Sequence, residues 1–207
     1  YTGARASEVG QLLIADIVDA DGTPALRISD EGEDQKLKTA ASLRTVPLHP
    51  DLLSLGFLNY IERLRGEAWR VFPQADPKAK NGAGNWISKA FSLHVARTGK
   101  DWPEAKRGFH SLRKTVVQQM QAMGVPSEVR AQLVGHDLDD EHHATYSRRF
   151  TAAELLPWLS RLAYGLDLDA LHPLLTASVS KRTAKAPGRK PASTAAARKR
   201  ASKSGGK

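Results

Sequence analysis

The chain has 207 residues, 26% charged and 41% hydrophobic, which is room for one well-buried domain with extensions and falls short of two. No apolar run approaches the roughly 18 residues of a membrane span, so the expectation is a soluble protein. The absence of Cys excludes disulfides, thiol nucleophiles, thiolate zinc sites and iron–sulfur clusters, and leaves oxygen and nitrogen groups for any chemistry.

The first residues, Tyr1-Thr2-Gly3-Ala4-Arg5, hold neither an initiator Met nor the basic-then-apolar order of a signal peptide, so the chain is expected to begin inside a larger protein. Val9, Leu12 and Leu13 stand at helical spacing, and residues 16–30 then read as extended segments around an Asp21-Gly22 turn. Residues 31–42 are polar, a loop or hairpin tip, after which Leu43-Arg44-Thr45-Val46-Pro47-Leu48 resumes a strand that Pro47 closes. Leu55, Leu58, Ile61 and Leu64 form one helical stripe, and Ile87, Phe91 and Val95 form another beyond a loop from Pro73 to Gly84.

A further helix follows Phe109 with Leu112, Val116 and Met120 on its buried face. The next starts at Pro126, a residue tolerated in a first turn, and stops at Gly135, which suits a left-handed cap and delivers His136 just past the helix end. Leu155, Leu159 and Leu162 mark a last helix that Pro157 must start or kink. The fold class expected is α+β, mostly α-helical, with a small three-stranded antiparallel sheet. From Ser180 the chain carries ten Lys or Arg and no acid, and removing these ten from 31 bases leaves 21 against 22 acids, so the net charge of +9 belongs to the tail. That tail has no aromatic or large aliphatic residue after Val179 and is expected to be disordered.

Four short motifs occur in order: Thr2-Gly3-Ala4-Arg5-Ala6-Ser7-Glu8, His110-Ser111-Leu112-Arg113, Leu133-Val134-Gly135-His136, and Tyr146 ten residues after the Gly-His pair. Together they resemble the catalytic domain of the tyrosine recombinase (phage-type integrase) family, over residues 1–165, with a linker at 166–179 and the basic tail at 180–207. The resemblance implies a nucleophilic Tyr146 that forms a covalent 3′-phosphotyrosine with DNA. Arg5 and Arg113 would then neutralise the non-bridging phosphate oxygens, with His110 and His136 adding donors or moving protons. On a helix His110 and Arg113 share one face near the start, where backbone N–H groups also favour a phosphate.

The family draws the proton for the leaving 5′ oxygen from a hairpin lysine. Lys38, directly before Thr39, matches it best, with Lys36 as the alternative, and a lysine on a mobile tip would reach the bond only with DNA present. No metal or other cofactor is implied. The implied partners are double-stranded DNA and, in a full-length protein, a homo-tetramer on two DNA sites, with a cytoplasmic, nucleoid-associated location.

DNA contacts are expected from Arg5, Arg113 and Lys114, and from the tail through Lys181, Arg182, Arg198, Lys199 and Arg200. Two other readings stand beside this one: a truncated DNA-binding remnant without recombination activity, and a type IB topoisomerase-like strand transferase. The run Asp137 to His143 after His136 is dense in metal-ligand types, but fits neither a His-Glu-x-x-His helix nor a Ca²⁺ loop and is expected to be a solvated loop. Tyr60 and Tyr164 are rival nucleophiles at the wrong distance from a Gly-His pair, and Trp86, Trp102 and Trp158 are expected to pack.

Overall fold

A computed structural model of the chain describes residues 1–99, 108–136 and 148–173. The fold is mixed α+β, with one small antiparallel sheet among the described residues. Helix α1 (Ala6–Gly10) leads to strands β1 (Ile17–Ala20) and β2 (Thr23–Ile28), joined at the two-residue Asp21-Gly22 turn with Ala20 paired to Thr23. A long loop then returns as β3 (Arg44–Pro47), which pairs antiparallel with β2 so that Leu26 faces Val46 and Ile28 faces Arg44. Strand order is β1-β2-β3.

Helix α1 is shorter than the Val9, Leu12, Leu13 spacing predicts. Gly10 lies against the backbone of Ala83, where a Cβ would come within 2.3 Å of the carbonyl oxygen, and Gly84 lies equally close to Ser7. Past that contact the chain extends, and Leu13 bridges to Arg70 instead of continuing the helix.

Of the stripe expected from Leu55 to Leu64, Leu55 falls between helices α2 (Pro50–Ser54) and α3 (Phe57–Leu64), and α3 carries the rest. The helical register restarts at Phe57, so the inward face is Phe57, Tyr60, Ile61 and Leu64, while Leu58 turns to solvent. Phe57, Tyr60 and Ile61 join Leu12, Leu26, Leu48 and Val71 in the smaller of two apolar clusters.

The larger cluster lies under the site. It joins Ala4, Ile28 and Val46 to side chains of α5 (Phe109–Ala122), α6 (Ser127–Val134) and α7 (Ala152–Leu159), among them Val116, Met120, Val129, Leu133, Leu155 and Leu159. Full burial of such aliphatic side chains contributes about 1.5–3 kcal/mol each. On α5 the buried face is Arg113, Val116 and Met120, and Leu112, expected inside, is exposed. The helix is rotated so that a guanidinium takes an inward position near its start.

The start of α6 agrees with expectation to within one residue, Pro126 acting as its N-cap, and Gly135 closes it in the left-handed region at φ 69°. Pro157 does not start the last helix: Thr151 caps α7 by accepting from the Glu154 N–H, and Pro157 sits inside it on an exposed position. Helix α4 (Gly84–Thr98) carries the Ile87, Phe91, Val95 stripe, but those side chains are only half-buried. Phe91 meets the edge of Phe109 at 5.9 Å, which props α4 against the first turn of α5.

Candidate functional site

The C-terminal end of α6 organises the site. A helix leaves its last carbonyls without intrahelical partners and carries partial negative charge there, so it attracts cationic donors. Three arginines from three distant parts of the chain answer. Arg44 Nε donates to the Leu133 carbonyl at 3.0 Å, Arg113 Nη1 to the Val134 carbonyl at 2.5 Å, and Arg5 Nη2 to the Gly135 carbonyl at 3.3 Å. Arg113 Nη1 also donates to the Gly3 carbonyl at 2.7 Å, tying the Thr2-Gly3 turn to the same helix end.

Gly135 is required twice over. Its φ is positive, and a Cβ would come within 2.5 Å of Arg44 Nη1. The Gly135 and His136 N–H groups both donate to the Ala131 carbonyl, at 2.8 and 3.0 Å, so the backbone that presents His136 is fixed at its root.

One carboxylate balances the cations. Glu8 is 3% exposed and takes both Arg44 Nη2 at 2.9 Å and Arg5 Nη1 at 2.7 Å, while the Arg5 backbone N–H donates to it at 2.8 Å. Burial pushes its pKa up, but hydrogen bonds and charge from Arg44, with help from Arg5, prevail and hold it below the ordinary value. Glu8 lies one helical turn after Arg5, and α1 exists to make that bidentate use of one side chain possible. Arg44 spends Nε, Nη1 and Nη2 on the protein, so it is a strut. Arg113 is 4% exposed, yet its Nη2 has no acceptor among the described residues.

The electrostatics show that these groups converge. Burial, then the charge of Arg5, with Arg44 adding and Glu8 opposing, pushes the Arg113 pKa down to about 10. The His136 imidazole is held below its ordinary value by desolvation first and then by Arg113, Arg5, Arg44 and His110. His110 and His136 are both exposed beside this cationic centre. A cluster that depresses its own cations is one that an anion would relieve.

Lys36 and Lys38 are both exposed in the β2–β3 loop, while Leu37 between them packs against the larger core cluster. This loop was expected to be a mobile tip; its root is instead held by the body. Gln11 Nε2 donates to the Lys36 carbonyl at 3.0 Å and the Lys36 N–H returns a bond to Gln11 Oε1 at 3.1 Å. At the other end Ser42 Oγ accepts from Arg5 Nη1 at 3.1 Å. Lys114, expected to face DNA, is exposed on α5.

Tyr146 lies outside the described residues, as do Asp137 to His143, Trp102, and the tail with Lys181, Arg182, Arg198, Lys199 and Arg200. Of the rival tyrosines, Tyr60 donates its hydroxyl to the Val71 carbonyl at 2.6 Å and belongs to the smaller cluster, and Tyr164 packs against the larger one with its hydroxyl buried. Trp86 and Trp158 are half-buried. Among the described residues no group of three or more His, Asp or Glu is arranged to hold a metal ion, and no helix is long and apolar enough to cross a membrane.

Sequence reasoning missed Arg44 as a member of the site. The signal was present: period-two alternation puts Arg44 on the same side of β3 as the fully buried Val46, and an arginine there needs a buried carboxylate. Compared with models of protein families, with curated proteins and with solved structures, the chain gives no match.

Proposed function

We propose that this chain is the catalytic part of a tyrosine-type site-specific DNA recombinase, which breaks and rejoins DNA strands through a covalent 3′-phosphotyrosine on Tyr146. The observation that carries the reading is the pairing of Arg5 and Arg113 on adjacent carbonyls at the α6 terminus, beside His136, with Arg113 Nη2 left without an acceptor. Two guanidiniums held rigidly a short distance apart suit the two non-bridging oxygens of a phosphodiester, whose negative charge grows in the transition state.

In the proposed step the Tyr146 oxygen attacks phosphorus as the bond from phosphorus to the 5′ oxygen breaks. His136, whose pKa is lowered first by desolvation and then by its cationic neighbours, takes the phenol proton or donates to a phosphate oxygen, with His110 among those neighbours. Lys38 gives a proton to the departing 5′ oxygen. The phosphotyrosine conserves the bond energy, so a 5′-hydroxyl from another strand reverses the step without ATP. A homo-tetramer on two duplex sites, nucleoid association and non-specific contacts from Lys114 and the basic tail belong to the same proposal.

The test is a suicide DNA substrate that loses its 5′-hydroxyl fragment after cleavage. Wild-type protein should give a protein–DNA adduct that survives denaturation, Tyr146→Phe should give none while still retarding DNA in a gel, and Arg5→Ala or Arg113→Ala should slow cleavage by about 10²–10³ each. DNA retention without any adduct from the wild type would favour a binding remnant instead.

A further inference from the structure

Gln11 makes a pair of bonds that a packing residue has no need of. It is the residue closing α1, 5% exposed, and its side-chain amide grips the Lys36 backbone on both its N–H and its carbonyl. Gln35, 6% exposed, completes the arrangement: its Nε2 donates to the Gln11 carbonyl at 3.2 Å and to Asp16 Oδ2 at 2.8 Å, while its Oε1 accepts from the Gly32 N–H at 2.9 Å. Asp16 is itself buried and also accepts from the Leu13 N–H at 2.9 Å.

The consequence is a short span of chain tied at both ends to α1. Lys36 is held by Gln11 at the C-terminal end of that helix, and Ser42 is held by Arg5 at its N-terminal end. Lys38 lies between the two ties, and Thr39 Oγ1 is 3.2 Å from Ser42 Oγ at the second. The helix that supports the phosphate-binding Arg5 therefore also sets where the lysine loop starts.

We propose that Gln11 and Gln35 are positioning residues for the loop lysine that protonates the leaving 5′ oxygen. The inference rests on the function proposed above. In the step concerned, the bond from phosphorus to O5′ breaks as the bond from phosphorus to the Tyr146 oxygen forms, the electron pair goes to O5′, and Lys38 Nζ transfers a proton to it and is left neutral. The amide pair does not touch DNA. It holds the loop so that the ammonium reaches O5′ while Arg5 holds the phosphate, and misplacement of about 1 Å costs roughly a hundredfold in rate.

Replacing O5′ by sulfur separates this role from a structural one, because a thiolate departs without a proton. The experiment compares single-turnover cleavage of a phosphodiester and of a 5′-bridging phosphorothiolate by wild type, Gln11→Met, Gln35→Met, Lys38→Met and Lys36→Met. Gly32→Ala is a second route to the same clamp, since its Cβ would fall 2.6 Å from Gln35 Oε1 and push that amide away.

Gln11→Met, Gln35→Met and Gly32→Ala should lose about a hundredfold on the phosphodiester and recover to within about threefold of wild type on the phosphorothiolate, following Lys38→Met. Lys36→Met should cleave both substrates like the wild type; if it, and not Lys38→Met, shows the recoverable loss, the role assigned to Lys38 is wrong. Equal loss on both substrates by the Gln variants, including loss through failure to fold, would overturn the proposal by making the clamp purely architectural, and so would undiminished cleavage of the phosphodiester. Absence of an adduct from wild-type protein on either substrate would instead sink the recombinase reading itself.

Discussion

Replacing Glu8 by Gln nearly preserves side-chain volume, removes the charge on which two guanidiniums depend, and turns one acceptor oxygen into an NH2 donor facing arginine N–H groups. Arg44 is 3% exposed and bonds both Glu8 oxygens, at 2.9 and 3.3 Å, so the variant leaves it buried without a countercharge. Breaking a buried pair from one side costs about 3–5 kcal/mol, a large part of the 5–15 kcal/mol typical of a whole domain. For a folded body of this size that is a drop of roughly 6–20 °C in Tm. Thermal unfolding by calorimetry and circular dichroism measures it directly.

The pH dependence gives a second check with a defined sign. The Glu8 pKa is lowered in the folded protein, so its stabilisation is complete above the ordinary carboxylate value of 4.5 and disappears as pH falls through the folded value. The gap between wild type and Glu8→Gln should therefore hold steady from neutral pH to about 4.5 and close only below that. The double variant Glu8→Leu/Arg44→Met should recover much of the lost stability, because apolar replacement of a buried pair is often neutral or better. It should not recover DNA cleavage, since Arg5 would still lack its carboxylate. A gap below about 1 kcal/mol, or one that persists unchanged into strong acid, would refute the hub assigned to Glu8.

Other expectations follow from the same contacts. Gly135→Ala should cost more than the roughly 1–2 kcal/mol of a left-handed non-glycine residue, because its Cβ would also displace Arg44, and a variant as stable as wild type in urea unfolding would contradict the close approach. Sulfate or phosphate at ten times its Kd should stabilise the protein by about 1.4 kcal/mol, seen as a Tm rise over chloride at matched ionic strength and lost in Arg113→Ala. The His136 pKa is depressed without an anion, so His136 contributes stability above pH 6.5 that is lost as pH falls; a bound anion reverses the repulsion, and the anion-induced gain should grow as pH falls below 6.5. A gain that shrinks with acidification would count against the placement of His136. Gln132→Met should cost roughly 1–3 kcal/mol in urea unfolding by removing both bonds to the Phe150 backbone, at 2.7 and 2.9 Å.

Much of the scaffold was legible because it rests on local rules. The Asp21-Gly22 hairpin, the stop of α6 at Gly135 and the start of α5 at Phe109 each follow from a turn residue, a cap or a period. What misled was rotation and termination set by distant contacts. Leu112 and Arg113 fit a helix equally well, and Arg113 faces inward because the Gly3 and Val134 carbonyls need its donors. Helix α1 stops where its backbone meets Ala83, a contact across more than seventy residues of sequence.

The candidate site divides in the same way. Arg5, His110, Arg113 and His136 could be read from motif order, whereas their means of support could not. Side-chain bonds to the backbone carbonyls of Leu133, Val134 and Gly135 leave no residue signature, because every residue has a carbonyl. Arg44 was readable in principle from its alternation with Val46, and Gln11 and Gln35 were not, since a polar residue in a loop or at a helix end ordinarily faces water.

The most direct measurement is the chemical identity of the DNA linkage. After reaction with a suicide substrate and tryptic digestion, the peptide spanning 131–148, in which Tyr146 is the sole tyrosine, should carry a 3′-nucleotide mass that is absent in Tyr146→Phe. A linkage on any other peptide, or none from wild-type protein that retains the DNA, would contradict Tyr146 as the nucleophile.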